Sequence, residues 1–295
     1  MVINRRHTLG MVVLCVCWVG SAYGQVKKET VTRTTPDGAT VTTTWYKSSD
    51  VLGRPIIINR EPMGKIEDLV IDVPSGRVVY GVGSFTNVKD ASGRLYVIPW
   101  PATRYSTVTK SYEVNLGTEQ LQSAPSFVKT ERVNFADEEF ATRTFKHYNV
   151  TPWWQTEKTT VLTSDRPATT TTTTWTSRPT TTYRVSELRG REIRTVEGTR
   201  IGKIEEVVLD PGTGRVLYGV TVRDGRSVPI PWTALRPVSD NAFEVTISAE
   251  KWKSAPSFEV EVLPTEQKTE IYRYYEVEPM EIEVKTKVKT DDDDE

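Results

Sequence analysis

The sequence predicts a mainly β protein: two small, similar β-barrels, each with a short helical segment, joined by a Thr-rich linker. Three observations carry this expectation. One unit occurs twice in the chain. Each copy opens with apolar, β-branched runs split by a Pro/Gly/Asp turn, and a threonine tract too poor in apolar residues to build a core separates the copies.

The repeat is legible without an alignment. Gly64-Lys65-Ile66-Glu67-Asp68-Leu69-Val70-Ile71-Asp72 returns as Gly202-Lys203-Ile204-Glu205-Glu206-Val207-Val208-Leu209-Asp210. The match continues from Gly76-Arg77-Val78-Val79-Tyr80-Gly81-Val82 to Gly214-Arg215-Val216-Leu217-Tyr218-Gly219-Val220. Twelve of the nineteen positions from 64 to 82 are identical, too many for chance. Ile98-Pro99-Trp100 then recurs as Ile230-Pro231-Trp232, and Ser123-Ala124-Pro125-Ser126-Phe127 as Ser254-Ala255-Pro256-Ser257-Phe258. The offset falls from 138 to 132 between the first block and the Pro-Trp block, so the first copy carries six extra residues, which fit the polar loop 84–93.

Within each copy the early elements read as a hairpin: apolar strands flank the turns at 73–76 and 211–214. Apolar residues of both parities suit a strand in a small, strongly curled sheet. Gly81 and Gly219 lie inside strands and predict a bulge or sharp bend. Later, Phe140, Phe145 and Tyr148, and likewise Ile271, Tyr274 and Tyr275, fall near helical spacing, which predicts a helix against each barrel. The tract 156–182 and the similar stretch 30–44 read as extended and exposed, with edge-strand pairing as the alternative. The tail from 285 is charged and predicted to be disordered.

The N-terminus reads as an export signal. Arg5 and Arg6 form a basic region, residues 11–19 an apolar run too short to span a bilayer, and Ala22 and Gly24 a small-residue cleavage site before Gln25. Sec export is the expected route, with a twin-arginine signal as the alternative. Cys15 and Cys17 both lie in this leader, so the mature chain has no disulfide framework and no thiol nucleophile. Leu14 before Cys15 is too large for lipoprotein processing, and Val16 before Cys17 is no better. Lysine and arginine number 38 against 39 acidic residues, a net of −1, far from the balance that drives phosphate-backbone binding. The expected divisions are signal peptide 1–24, Thr-rich segment 25–46, first repeat 47–154, linker 155–183, second repeat 184–280 and acidic tail 281–295.

On these motifs both copies resemble the PRC-barrel family, the small β-barrel shared by the photosynthetic reaction-centre H subunit and the C-terminal domain of a ribosome maturation factor. The resemblance rests on Gly-x-Ile-x-acidic-aliphatic-Val-x-Asp, the Gly-Arg-Val after the turn and the later Pro-Trp, over roughly residues 49–127 and 186–258. It implies the fold, and a role in contacts with proteins or ribonucleoprotein rather than any one activity. Export sets the chain apart from a ribosome factor, and the lack of a long membrane helix sets it apart from the reaction-centre subunit.

Few residues invite a chemical reading. Asp72 and Asp210 open turns that end at Gly76 and Gly214, where an Asp side chain accepts from turn N–H groups. Arg77 and Arg215 are expected to pair locally with them. Adjacent carboxylates Glu67-Asp68 and Glu205-Glu206 point to opposite strand faces and read as a solvated surface. Trp100 and Trp232 follow Pro in apolar strands and are expected in the core. The mature chain has one histidine, His147, matched by Tyr274 in the second copy, so no catalytic, metal-binding or cofactor-binding set is expected. Trp153 and Trp154, matched by Met280 and Glu281, either dock on the domain or anchor a partner, and with His147 they are the candidate partner-binding residues.

The functional expectation is therefore a non-catalytic, periplasmic or secreted binding or scaffolding protein of a bacterial-type envelope. Its partner would be an envelope protein or surface component, not nucleic acid, and two modules on a flexible linker would raise effective concentration at a repetitive partner. Two alternatives stand: nucleic-acid or ribosome association if the leader is misread, and an envelope hydrolase with its site between the barrels.

Overall fold

A computed structural model describes residues 30–34, 40–86, 93–152, 154, 178–239, 241–259 and 267–278. The expected signal peptide 1–24, the centre of the 84–93 loop, Trp153, most of the linker and the acidic tail lie outside the described residues. The first described element is a threonine hairpin, β1 (Thr30–Thr34) against β2 (Thr40–Thr44), in register from Thr30↔Thr44 to Thr34↔Thr40.

The first copy is a curled antiparallel sheet. Its strands are β4 (Pro55–Ile58), β5 (Glu61–Asp72), β6 (Arg77–Phe85), β7 (Arg94–Pro99), β8 (Thr103–Ser106), β9 (Ser111–Val114) and β10 (Ser126–Val128). They run in the order β10-β7-β6-β5-β4-β9-β8, with β4 and β9 parallel. Helix α2 (Thr118–Gln122) follows β9, and α3 (Glu138–His147) covers the sheet from outside. Asp137 caps α3 by accepting from Phe140 N at 2.7 Å, satisfying one of the free N–H groups of the first turn. The alternating faces of β5 and β6 enter different cores. Ile66, Leu69, Ile71 and Val78 face the barrel interior, whereas Val70, Val79, Tyr80 and Val82 pack under Phe135, Phe145 and Trp154. Apolar residues of both parities thus arise from a helix covering the outer face.

The second copy repeats this path: β12 (Glu192–Thr195), β13 (Arg200–Lys203), β14 (Glu206–Leu209), β15 (Val216–Arg223), β16 (Arg226–Pro231), β17 (Leu235–Ser239) and β18 (Ala242–Val245), with helices α5 (Ala249–Trp252) and α6 (Lys268–Tyr274). Here β13 and β14 replace the single long β5, and the sheet divides into β13-β12-β18-β17 and β16-β15-β14. Gly81 and Gly219 are not bulged. Both pair in register, but each follows a bulge two residues earlier on its own strand, where Val79 and Leu217 are the extra residues, and a further bulge lies on β5 between Ile66 and Asp68. The glycines leave room for core side chains: a Cβ on Gly81 would touch Trp100 at 3.6 Å, and one on Gly219 would meet Leu235 at 2.7 Å.

Two independent modules on a flexible linker are not what the fold shows. Strand β3 (Tyr46–Lys47) precedes the first barrel yet pairs with β14 of the second, while β11 (Thr182–Arg184) precedes the second barrel and pairs with β5 of the first. After each comes a one-turn helix, α1 (Ser48–Val51) or α4 (Val185–Leu188). Between the hairpin turns, Val78 N donates to Gly214 O and Val216 N to Gly76 O, both at 2.8 Å. One hydrophobic core runs through both copies. Strand pairing therefore claims residues from both Thr-rich segments: Trp45 and Tyr46 are buried in the core, and Thr182 begins a strand. Each barrel needs these strands because β5 and β14 otherwise present unpaired backbone groups to the seam.

Candidate functional site

The residues common to both copies sit at the seam between them. Asp72 is buried and accepts from Ser75 N at 3.1 Å and from Thr180 N at 3.1 Å, so it caps its own turn and holds the strand entering from the other copy. Asp210 accepts from Gly212 N at 2.8 Å and Thr213 N at 2.9 Å. Gly76 and Gly214 have φ of 58° and 72°, the left-handed region, and Gly214 lies so close under Trp100 that a Cβ would come within 2.4 Å of the indole. Trp232 donates from Nε1 to Val73 O across the seam at 2.9 Å, and both indoles are buried. Arg77 and Arg215 pair with each other as a backbone bridge, with Arg215 buried.

One pair of carboxylates overturns the solvated-surface reading. Asp68 is only 7% exposed and accepts from Ser186 Oγ, Ser186 N (3.2 Å) and Leu69 N (2.9 Å). At the equivalent place Glu206 accepts from Ser48 Oγ, Ser49 N (3.3 Å) and Val207 N (2.9 Å). Each copy's central strand thus caps the one-turn helix that follows the other copy's exchanged strand, supplying the acceptor those N-terminal N–H groups lack. Burial pushes the Asp68 carboxyl up, against the hydrogen bonds from Ser186 and Leu69. The bulge between Ile66 and Asp68 turns this residue into the seam, which strand alternation alone does not show.

The residues peculiar to the first copy gather around α3. Trp154 is buried with its ring 5.0 Å from that of Phe145 in an edge-on contact, so it docks on the domain. His147 Nε2 is 2.9 Å from Gln120 O, joining α3 to the end of α2. In the second copy Tyr274 makes the matching contact from its hydroxyl to Lys251 O. His147 also borders a cleft of about 810 Å³. The cleft floor is the outer face of β4, β9 and β8, where Ile57 stands opposite Glu113 and Glu113 opposite Arg104. Its walls are the Asn59-Arg60 turn, the 115–120 segment and the end of α3. Among the described residues, neither the Arg60 nor the Arg104 guanidinium has a hydrogen bond or ion pair, and both side chains are exposed.

The model of the PRC-barrel domain matches residues 45–121 and again 180–251. The chain belongs to the PRC-barrel family. No curated protein matches the sequence. Each matched region begins at the exchanged strand, so the PRC unit includes the segment that crosses to the other copy.

The two PRC barrels share the seam and differ at the cleft. In the second barrel the corresponding turn carries Glu197, which accepts from Ala249 N at 2.8 Å and Thr195 Oγ1 at 2.9 Å, tying the turn to α5. Arg60 reverses that charge. The terminal strand also differs, for Pro237 of β17 stands where β8 has Tyr105. The repeat motif drew attention to the seam; the signal for the cleft was the difference in charge between the two turns, Arg60 in one and Glu197 in the other.

Proposed function

We propose that this chain is a non-catalytic binding or scaffolding protein of the cell envelope, exported by its N-terminal leader and acting as one paired PRC-barrel platform. The observation that supports it best is the reciprocal exchange at the seam. Strands, caps and core cross in both directions, and the carboxylates that recur in the two copies, Asp68, Asp72, Glu206 and Asp210, each hold backbone N–H groups. An acceptor used this way maintains the architecture, and the surfaces that differ between copies are left for recognition. A hydrolase with its site between the barrels would need some of these carboxylates for substrate.

Two measurements test this reading. Fractionation of the tagged full chain should find it in the periplasm or medium with an N-terminus at Gln25, and a cytosolic chain retaining Met1 would overturn export. Cross-linked recovery from envelope extracts should enrich one partner reproducibly over an unrelated exported protein of similar charge, whereas recovery at background would overturn the scaffold role.

A further inference from the structure

We propose that the cleft on the first barrel binds an acidic peptide segment of the partner, which enters over the open edge of β8 and sets its carboxylates against Arg104 and Arg60. This rests on the binding role above and names the surface that performs it.

Three observations converge on this place. Strand β8 ends the sheet order, and among the described residues its outer edge pairs with no strand, so its backbone groups are open to an added strand. The second barrel defends the same edge with Pro237, which has no N–H to offer; Tyr105 in the first barrel leaves that edge unblocked and packs its ring 5.1 Å from Tyr112. Arg104 of β8 and, across β9 at the cleft wall, Arg60 of the β4–β5 turn have no partners among the described residues, whereas in the second barrel Glu197 spends its carboxylate on Ala249 N. A planar guanidinium binds carboxylate with paired hydrogen bonds, and Glu113 between the two arginines requires a ligand whose carboxylates alternate with neutral groups. The volume suits a peptide segment a few residues long.

Fluorescence anisotropy on the mature full chain tests this with a short labelled peptide of alternating Glu and Thr. Its Gln–Thr analogue and an oligodeoxynucleotide serve as competing probes. Saturable binding of the Glu–Thr peptide is expected, weakened about tenfold or more by Arg60→Glu or Arg104→Glu, and unchanged by Arg236→Glu on the second barrel. Absence of saturable binding, an equal loss with Arg236→Glu, or tighter binding of the neutral peptide or the oligonucleotide would each overturn the proposal. Partner recovery from envelope extract with Arg60→Glu separates the two readings. Recovery that persists after peptide binding is lost overturns the cleft assignment and leaves the scaffold role standing. Peptide binding with background recovery overturns the scaffold role and leaves the cleft.

Discussion

Gly214 shows how a single atom at the seam is constrained twice, by a left-handed φ of 72° and by the Trp100 indole. Gly214→Ala should destabilise the protein by about 2–4 kcal/mol, combining the left-handed penalty with overpacking. Gly225 has the same φ of 72°, but a Cβ there would meet nothing within 4 Å, so Gly225→Ala should cost only about 1 kcal/mol. Urea unfolding of the two variants measures the difference, and equal losses would mean that the indole contact is unimportant. Asp68 carries a pH signature. Its folded pKa lies above the ordinary carboxylate value because burial disfavours the charge, so the folded state holds the proton more tightly than the unfolded chain. This group's contribution is therefore most favourable below the unfolded value of about 3.9 and declines as pH rises through the raised folded value. Asp68→Asn lacks that dependence. The wild-type Tm minus the Asp68→Asn Tm should rise as pH falls from 7 toward 4, and a flat difference would exclude the buried charge as its source. Asp68→Ala, which strands the Ser186 and Leu69 N–H groups, should cost about 2 kcal/mol at pH 7 and more toward pH 4.

The elements themselves were largely visible as pattern. Strands β5 and β6, β14 and β15, the turns between them and helices α3 and α6 follow from hydrophobic spacing and turn residues. The exchanged strands were not, because Tyr46–Lys47 and Thr182–Arg184 are too short to show a period and adjoin tracts of threonine. What places them is the open backbone of β14 and β5, an acceptor distant in sequence. Trp45 tests this level of organisation. It precedes the first barrel, yet its ring lies 5.9 Å from Tyr218 of the second, and only 4% of it is exposed. Trp45→Ala should lower stability by about 3–5 kcal/mol, and hydrogen exchange should accelerate in β14 and β15 before β5 and β6. Faster exchange confined to the first barrel would contradict the exchange of strands.

At the scale of the whole molecule, two exchanged strands and one shared core join the copies. If the seam holds the copies together, cleavage at a protease site placed in the run 169–174 should leave both halves co-eluting in gel filtration and unfolding in one urea transition. Separate elution would show that the linker keeps the barrels together. The rigid pairing also replaces the expected advantage of two independent modules with a single surface of fixed geometry, on which one barrel carries the open cleft.

The sequence by itself determined the duplication, the PRC-barrel family, the hairpins and the helix on each barrel, because these rest on local periodicity and on motifs spaced within one copy. It also marked Asp72, Asp210, Gly76, Gly214, Trp100 and Trp232 as recurring. Only the tertiary structure decided that these residues form an interface, that Asp68 and Glu206 cap helices of the opposite copy, and that His147 and Trp154 bind α3 to its own domain. Pairing partners separated by more than a hundred residues leave no periodic trace, and whether a carboxylate faces water or a stranded N–H depends on a bulge and on what the other copy brings to it.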